Sequence, residues 1–247
     1  MSARSPGRSA RPSPSPPVDD AARRPPASPE PASERVRLRR RRERGSYDRE
    51  AIDAILDEAL IAHLGITDAE GRPVVIPTLH ARHGDLVYCH GSTASRVLRA
   101  LATGAPACLT VSLLDGLVLA RSAMHHSANY RSAMLFGTAS AIDDPGEKLA
   151  ALRAIIEHIV PGRWADVRAP SENELKATSV LAIPIEEASA KIRNGPPLDD
   201  EADYALPAWA GVIPLASRSE APEPDPLLPL GIAPPPYVTA YRRPGGP

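Results

Sequence analysis

The side chains best suited to chemistry fall in two short stretches. In Tyr88-Cys89-His90-Gly91-Ser92-Thr93-Ala94-Ser95-Arg96-Val97-Leu98-Arg99, an apolar run breaks at Gly91; Ser92, Thr93, Ser95 and Arg96 follow where a short helix should begin. Free backbone N–H groups at a helix start, together with hydroxyls and a guanidinium, suit a phosphate. The plainer reading is that Ser92 or Thr93 merely caps the helix and Arg96 is solvated. In the second stretch, Arg121 to Ser132, the residues His125, His126, Asn129, Tyr130, Arg121 and Arg131 crowd between two apolar strands. A simple connection calls for Gly, Asn or Asp and has no use for that set. These groups could hydrogen-bond a polar ring edge or steady an anion. The competing reading is a loop whose residues satisfy one another.

Both stretches need positioning elements. Ile52, Ile55, Leu56 and Ala59 recur at helical spacing behind Asp48 and Glu50, which predicts a helix over Asp48 to Glu58. Leu60 to Ile66, Val74 to Leu79 and Leu86 to His90 read as strands separated by turn-type clusters. Asp115-Gly116 reads as a two-residue hairpin turn joining Ala107 to Leu114 with Leu117 to Met124. That register would place Thr110 beside Arg121. Ser132 to Ile142 and Ser179 to Ile185 are further strands. Asp144-Pro145-Gly146-Glu147 opens a helix stopped by Pro161-Gly162, and Ser171 to Glu174 is a capping box. Short antiparallel strands with a few helices, without βαβ alternation, predict an α+β domain built on a small barrel.

The chain has 247 residues, a net charge of −1 and 29 prolines, which cluster at the ends. Residues 1–45 and 216–247 are expected to be disordered tails flanking one domain over 46–215. The run Arg35 to Arg44 could touch nucleic acid or anionic lipid, but a solvated tail is the simpler expectation. The two cysteines, Cys89 and Cys108, sit in apolar contexts and suit a reducing compartment. The sequence shows no metal-spaced Cys/His cluster, secretory signal or membrane span, so a cytoplasmic location is expected.

The series Val75-Ile76-Pro77-Thr78-Leu79, Tyr88 to Ser92 with Ser95-Arg96, Leu114 to Val118, and Asn129-Tyr130-Arg131-Ser132 with Phe136-Gly137 resembles the pyridoxamine 5′-phosphate oxidase-like superfamily. The similarity is strongest to its branch related to nitroimidazole-resistance flavoproteins. This resemblance implies an antiparallel split β-barrel with flanking helices, forming a homodimer with FMN between the subunits. It implies that Ser95 and Arg96, with Ser92, hold the FMN phosphate, and that Tyr88 and His90 lead into that site. Pro77, Thr78 and Leu79 would lie along the flavin, with Thr110 approaching from the same side and Asn129, Tyr130 and Arg131 reaching the partner's flavin. Arg121 completes this set, and His90 and His126 are candidates for positioning substrate or donating a proton. Where many relatives carry Lys or Arg after the Ser-Arg pair, this chain has Val97, so Arg99 is a candidate second cation.

The function so implied is an FMN-dependent oxidoreductase passing electrons from NAD(P)H to a small acceptor. The first alternative is a haem-binding or haem-degrading protein with His125 or His126 on the iron and Arg121 and Arg131 on the propionates. A non-catalytic flavin-binding module is the second, and a deazaflavin could replace the FMN. Trp209 is expected to close the core.

Overall fold

A computed structural model describes residues 29–242, so the expectations for 1–28 and 243–247 lie outside the described residues. Ten strands form one antiparallel sheet in the order β1-β9-β6-β5-β2-β3-β4-β8-β7, with β10 added beside β5. The sheet coils into an open, split barrel. Its strands are β1 (Gly45–Ser46), β2 (Ile61–Thr67), β3 (Pro73–His83), β4 (Leu86–Ser92) and β5 (Pro106–Leu119). The remainder are β6 (Ser127–Thr138), β7 (Ser140–Ala141), β8 (Thr178–Pro184), β9 (Glu187–Arg193) and β10 (Gly211–Pro214). Strand β3 joins the two halves, pairing with β2 through Leu79 and with β4 from His80 onward.

The helices follow their capping residues. Asp48 caps α1 (Arg49–Glu58), which buries Ile52, Ile55 and Leu56 in the barrel. Asp144 accepts a bond from the Glu147 amide at 2.8 Å and opens α3 (Pro145–Ile159). Ser171 and Glu174 form the expected capping box of α4 (Glu172–Ala177). Helix α2 (Arg96–Ala102) follows β4, and a single turn, α5 (Pro236–Thr239), lies near the C-terminus. Leu64, Leu109, Val111, Leu135, Leu181 and Ile183 form the centre of the core. Cys89 is buried among them, and burial pushes its thiol up to about 12. No helix of the described residues is long and apolar enough to cross a membrane.

The Asp115-Gly116 hairpin does not form. β5 runs straight through both residues, and its register against β6 shifts between Leu114 and Gly116, which is a β-bulge. Arg131 holds the Asp115 carboxylate, and β10 lies so close that a Cβ on Gly116 would sit 3.0 Å from the Ile213 carbonyl oxygen. The glycine serves close packing rather than a turn. Thr110 accordingly faces His63 and Met134, not Arg121. Asn129, Tyr130 and Arg131 belong to strand β6 rather than to a loop.

Parts of the flanking segments lie against the body. Val36 is 2% exposed, Arg35 pairs with Glu187 and lies over the Phe136 ring, and Leu38 packs over Gly45. Residues 35–46 are thus fastened to β9 and β6 through Arg35, buried Val36 and the pairing of β1 with β9, while Arg37, Arg39 and Arg41 pair locally with Glu34 and Glu43. Near the other end, Tyr237 packs on Gly162 and accepts a bond from Arg163, so residues 216–242 also touch the body. Trp209, expected in the core, is 68% exposed.

Candidate functional site

Helix α2 has only seven residues, and side chains rather than a long helix axis define its start. Ser92 Oγ accepts from the Ala94 amide and Ser95 Oγ from the Leu98 amide, fixing the turn. Val97, Leu98 and Leu101 anchor the helix in the core. Leu98 lies so close to β4 that a Cβ on Gly91 would sit 2.7 Å from its Cδ1. The polar side is left outside: Ser92, Thr93, Arg96 and Arg99 are exposed. Neither arginine forms an ion pair or side-chain hydrogen bond among the described residues. Arg96, Val97 and Ala100 form one wall of a cleft of about 230 Å³ whose other wall is the β2–β3 turn. The carboxylates on that turn, Asp68 and Glu70, are already held by Arg72 at 2.9 and 2.7 Å. An anion entering the cleft would therefore meet the unneutralised Arg96 guanidinium, with the Ser92 and Ser95 hydroxyls on the turn that opens the same helix.

The other candidate residues lie in separate places. Pro77, His63, Thr110 and Met134 form a row across β3, β2, β5 and β6 on the outer face of the sheet. Leu79 and Tyr130 share that face. Thr78, one residue on from Pro77, points to the opposite side and donates to the Leu79 carbonyl.

Tyr88 and His90 alternate with buried Val87 and Cys89, so they face α3 instead. Tyr88 stacks on His83 with ring centroids 6.4 Å apart and lines a cavity of about 540 Å³ with Glu147 and Ile142. His90 opens into a second cavity of about 470 Å³ beneath α3 and α4. Its Nδ1 is buried without a partner, and burial lowers the pKa of the ring.

The residues of the second stretch are engaged by one another and by distant partners. Arg121 holds the buried Asp199 carboxylate at 3.0 Å and lies over Tyr204. Asn129 accepts from the buried Arg193 and donates to the Gly195 carbonyl. Arg131 binds Asp115 and Glu58 together, and those hydrogen bonds raise its pKa. His126 is exposed and donates through Nδ1 to the Ser122 carbonyl. His125 lies 3.9 Å from Asp199.

Sequence reading missed the distant partners Glu58, Arg193 and Asp199, along with Trp164 and Arg168 beside His90. Only the fold brings these together; Arg121 and Asp199 are 78 positions apart.

The family model described as pyridoxamine 5′-phosphate oxidase matches residues 48–192. The solved structure of the flavocytochrome Anf3 from Azotobacter vinelandii is 46% identical with a TM-score of 0.81, covering 85% of this chain and 97% of that one. An FAD and heme binding protein from Mycobacterium smegmatis is 42% identical with a TM-score of 0.76, covering 79% and 95%. A putative 5-nitroimidazole antibiotic resistance protein from Bacteroides thetaiotaomicron is 28% identical with a TM-score of 0.51, covering 60% and 86%. No curated protein sequence matches the chain.

Proposed function

The chain belongs to the pyridoxamine 5′-phosphate oxidase family, and from that premise we propose that it is a flavoprotein oxidoreductase. A flavin nucleotide, FMN or FAD, binds with a phosphate against Arg96, Arg99 and the Ser92 and Ser95 hydroxyls. The observation that carries this reading is the unneutralised Arg96 guanidinium at the α2 cleft, facing carboxylates that Arg72 already occupies, with unpaired Arg99 one turn along the same helix. The flavin supplies the electron-transfer chemistry, while the protein binds and orients it. NAD(P)H is the donor and a small acceptor takes the electrons.

A second copy of the chain covers the outer sheet face, where Ile61, Val75, Leu114, Leu117, Met134 and Ile213 are exposed. A monomer mass by light scattering would remove the dimer from this reading.

The purified protein should show a flavin spectrum and release FMN or FAD on denaturation. Arg96→Ala should weaken flavin binding by about 10- to 100-fold, the loss of one charge-assisted hydrogen bond. Unchanged affinity in that variant would overturn the phosphate assignment.

A second reading is haem binding, alone or beside the flavin, since two relatives are named a flavocytochrome and an FAD and heme binding protein. The structure favours different residues for it than the sequence did. Arg121 and Arg131 already hold carboxylates, and His126 is exposed and bonded, whereas His90 has no hydrogen-bond partner.

A further inference from the structure

The geometry points to the cavity beneath α3 and α4 as a haem seat in which His90 Nε2 ligates the iron and Arg168 meets a propionate. This rests on the haem reading and adds to it a place and a ligand.

The histidines themselves narrow the choice. Of the seven, His80 and His158 give Nε2 to the carbonyls of Leu56 and Ala59, and His126 gives Nδ1 to Ser122. His125 sits against Asp199, His83 is stacked on Tyr88, and His63 is on the open sheet face. His90 and His125 each have a buried Nδ1 and no side-chain hydrogen bond, but His125 has the Asp199 carboxylate beside it, whereas His90 lines an apolar cavity. An imidazole whose Nε2 is uncommitted can serve as an axial ligand without first losing another bond.

The walls suit a flat apolar ring. Leu152 and Ile156 from α3, with Trp164, Val167 and Pro170, enclose about 470 Å³. At the rim Arg168 pairs with Glu174 and is 72% exposed at its side chain. Arg168 also holds a carboxylate, but unlike Arg121 and Arg131 it does so facing solvent, where an arriving carboxylate can share the guanidinium while Glu174 keeps its bond from the Ser171 amide at 2.7 Å. Thr178, also in the lining, pairs across the strands with Ser92, so the cavity reaches the segment that opens the phosphate cleft.

The test is haemin titration of the full chain, followed by its Soret absorbance. Wild-type protein should develop a Soret band, and His90→Gly should lose it while keeping its circular dichroism. Added imidazole should restore the band in His90→Gly, a rescue that a purely structural histidine would not give. His63→Ala, His125→Ala and His126→Ala should keep it.

A second readout does not need the glycine variant to fold. In Trp209→Phe protein, Trp164 is the sole remaining tryptophan and its fluorescence should be quenched in proportion to bound haemin. Haem uptake with His90→Gly unaffected, or with Trp164 unquenched, would overturn this site and leave the haem reading standing. No uptake by wild-type protein would end both.

Discussion

Arg131 on β6 holds Asp115 and Glu58 at once, whereas Arg96 and Arg99 on α2 hold no carboxylate among the described residues. Both regions are arginine-bearing, polar and bounded by strands. What separates them is where their partners lie. Arg131 reaches carboxylates on α1 and β5, Arg121 reaches Asp199, and Asn129 reaches Arg193, so the charges of that region are paired within the fold, although Arg121 Nε and His125 Nδ1 are buried without a hydrogen bond. At α2 the nearby carboxylates are taken by Arg72, and the cations are left over. Saturated groups hold a structure together, while unsaturated ones are available to a ligand. Removing a saturated group should therefore lower stability, and removing an unsaturated one should lower ligand binding.

The largest effect on stability is expected at His80, which is fully buried beside the end of α1 with its Nδ1 left without a partner. It donates Nε2 to the Leu56 carbonyl, and its ring lies 5.3 Å from that of His158. Burial, the dominant cause, lowers its pKa to about 4. The unfolded chain then binds the proton more tightly, so stability is complete above pH 6.5 and falls as pH drops toward 4. Below that the contribution levels off. The full loss is about 3 kcal/mol at 1.36 kcal/mol per pKa unit. Urea unfolding across this window should show the slope in wild-type protein and a flatter one in His80→Gln. Parallel slopes would show that His80 is not the titrating group.

Next comes Arg131→Ala, which strands two carboxylates, Glu58 at 17% and Asp115 at 34% side-chain exposure. A fully buried network would lose more, but partial solvation should hold the loss to about 2 kcal/mol. Urea unfolding at neutral pH gives the value, and flavin content per folded molecule should stay constant. If the variant instead unfolds like wild type and loses flavin, Arg131 belongs with the ligand and the contrast between the two regions fails.

Much of the scaffold was legible because its signals are local. Asp48, Asp144 and the Ser171–Glu174 box each mark a helix start within four residues, and alternation marks β2 and β4. Asp115-Gly116 was misread because the facts that decide it are remote. The arginine holding Asp115 is 16 positions away, and the strand crowding Gly116 begins at Gly211. Arg35 and Leu38 likewise read as tail residues from their neighbours in sequence, because Phe136, Glu187 and Gly45, which they meet, lie elsewhere in the chain. At α2 the reverse holds. Its hydroxyls, Arg96 and Arg99 form a candidate that the order of residues alone suggests, because none of them depends on a distant partner.

The smallest effect on the fold should come from Arg96→Ala with Arg99→Ala. Both side chains are exposed and unpaired, and α2 is held by Val97, Leu98 and Leu101 on its other side. Alanine also favours a helix slightly more than arginine does. The unfolding free energy without flavin should therefore move by no more than about 0.5 kcal/mol. With saturating flavin, wild-type protein should gain stability by mass action and the double variant should gain much less. Equal stabilisation of the two proteins would place the flavin away from α2. A large loss without flavin would show that these arginines carry a structural role of the kind Arg131 has.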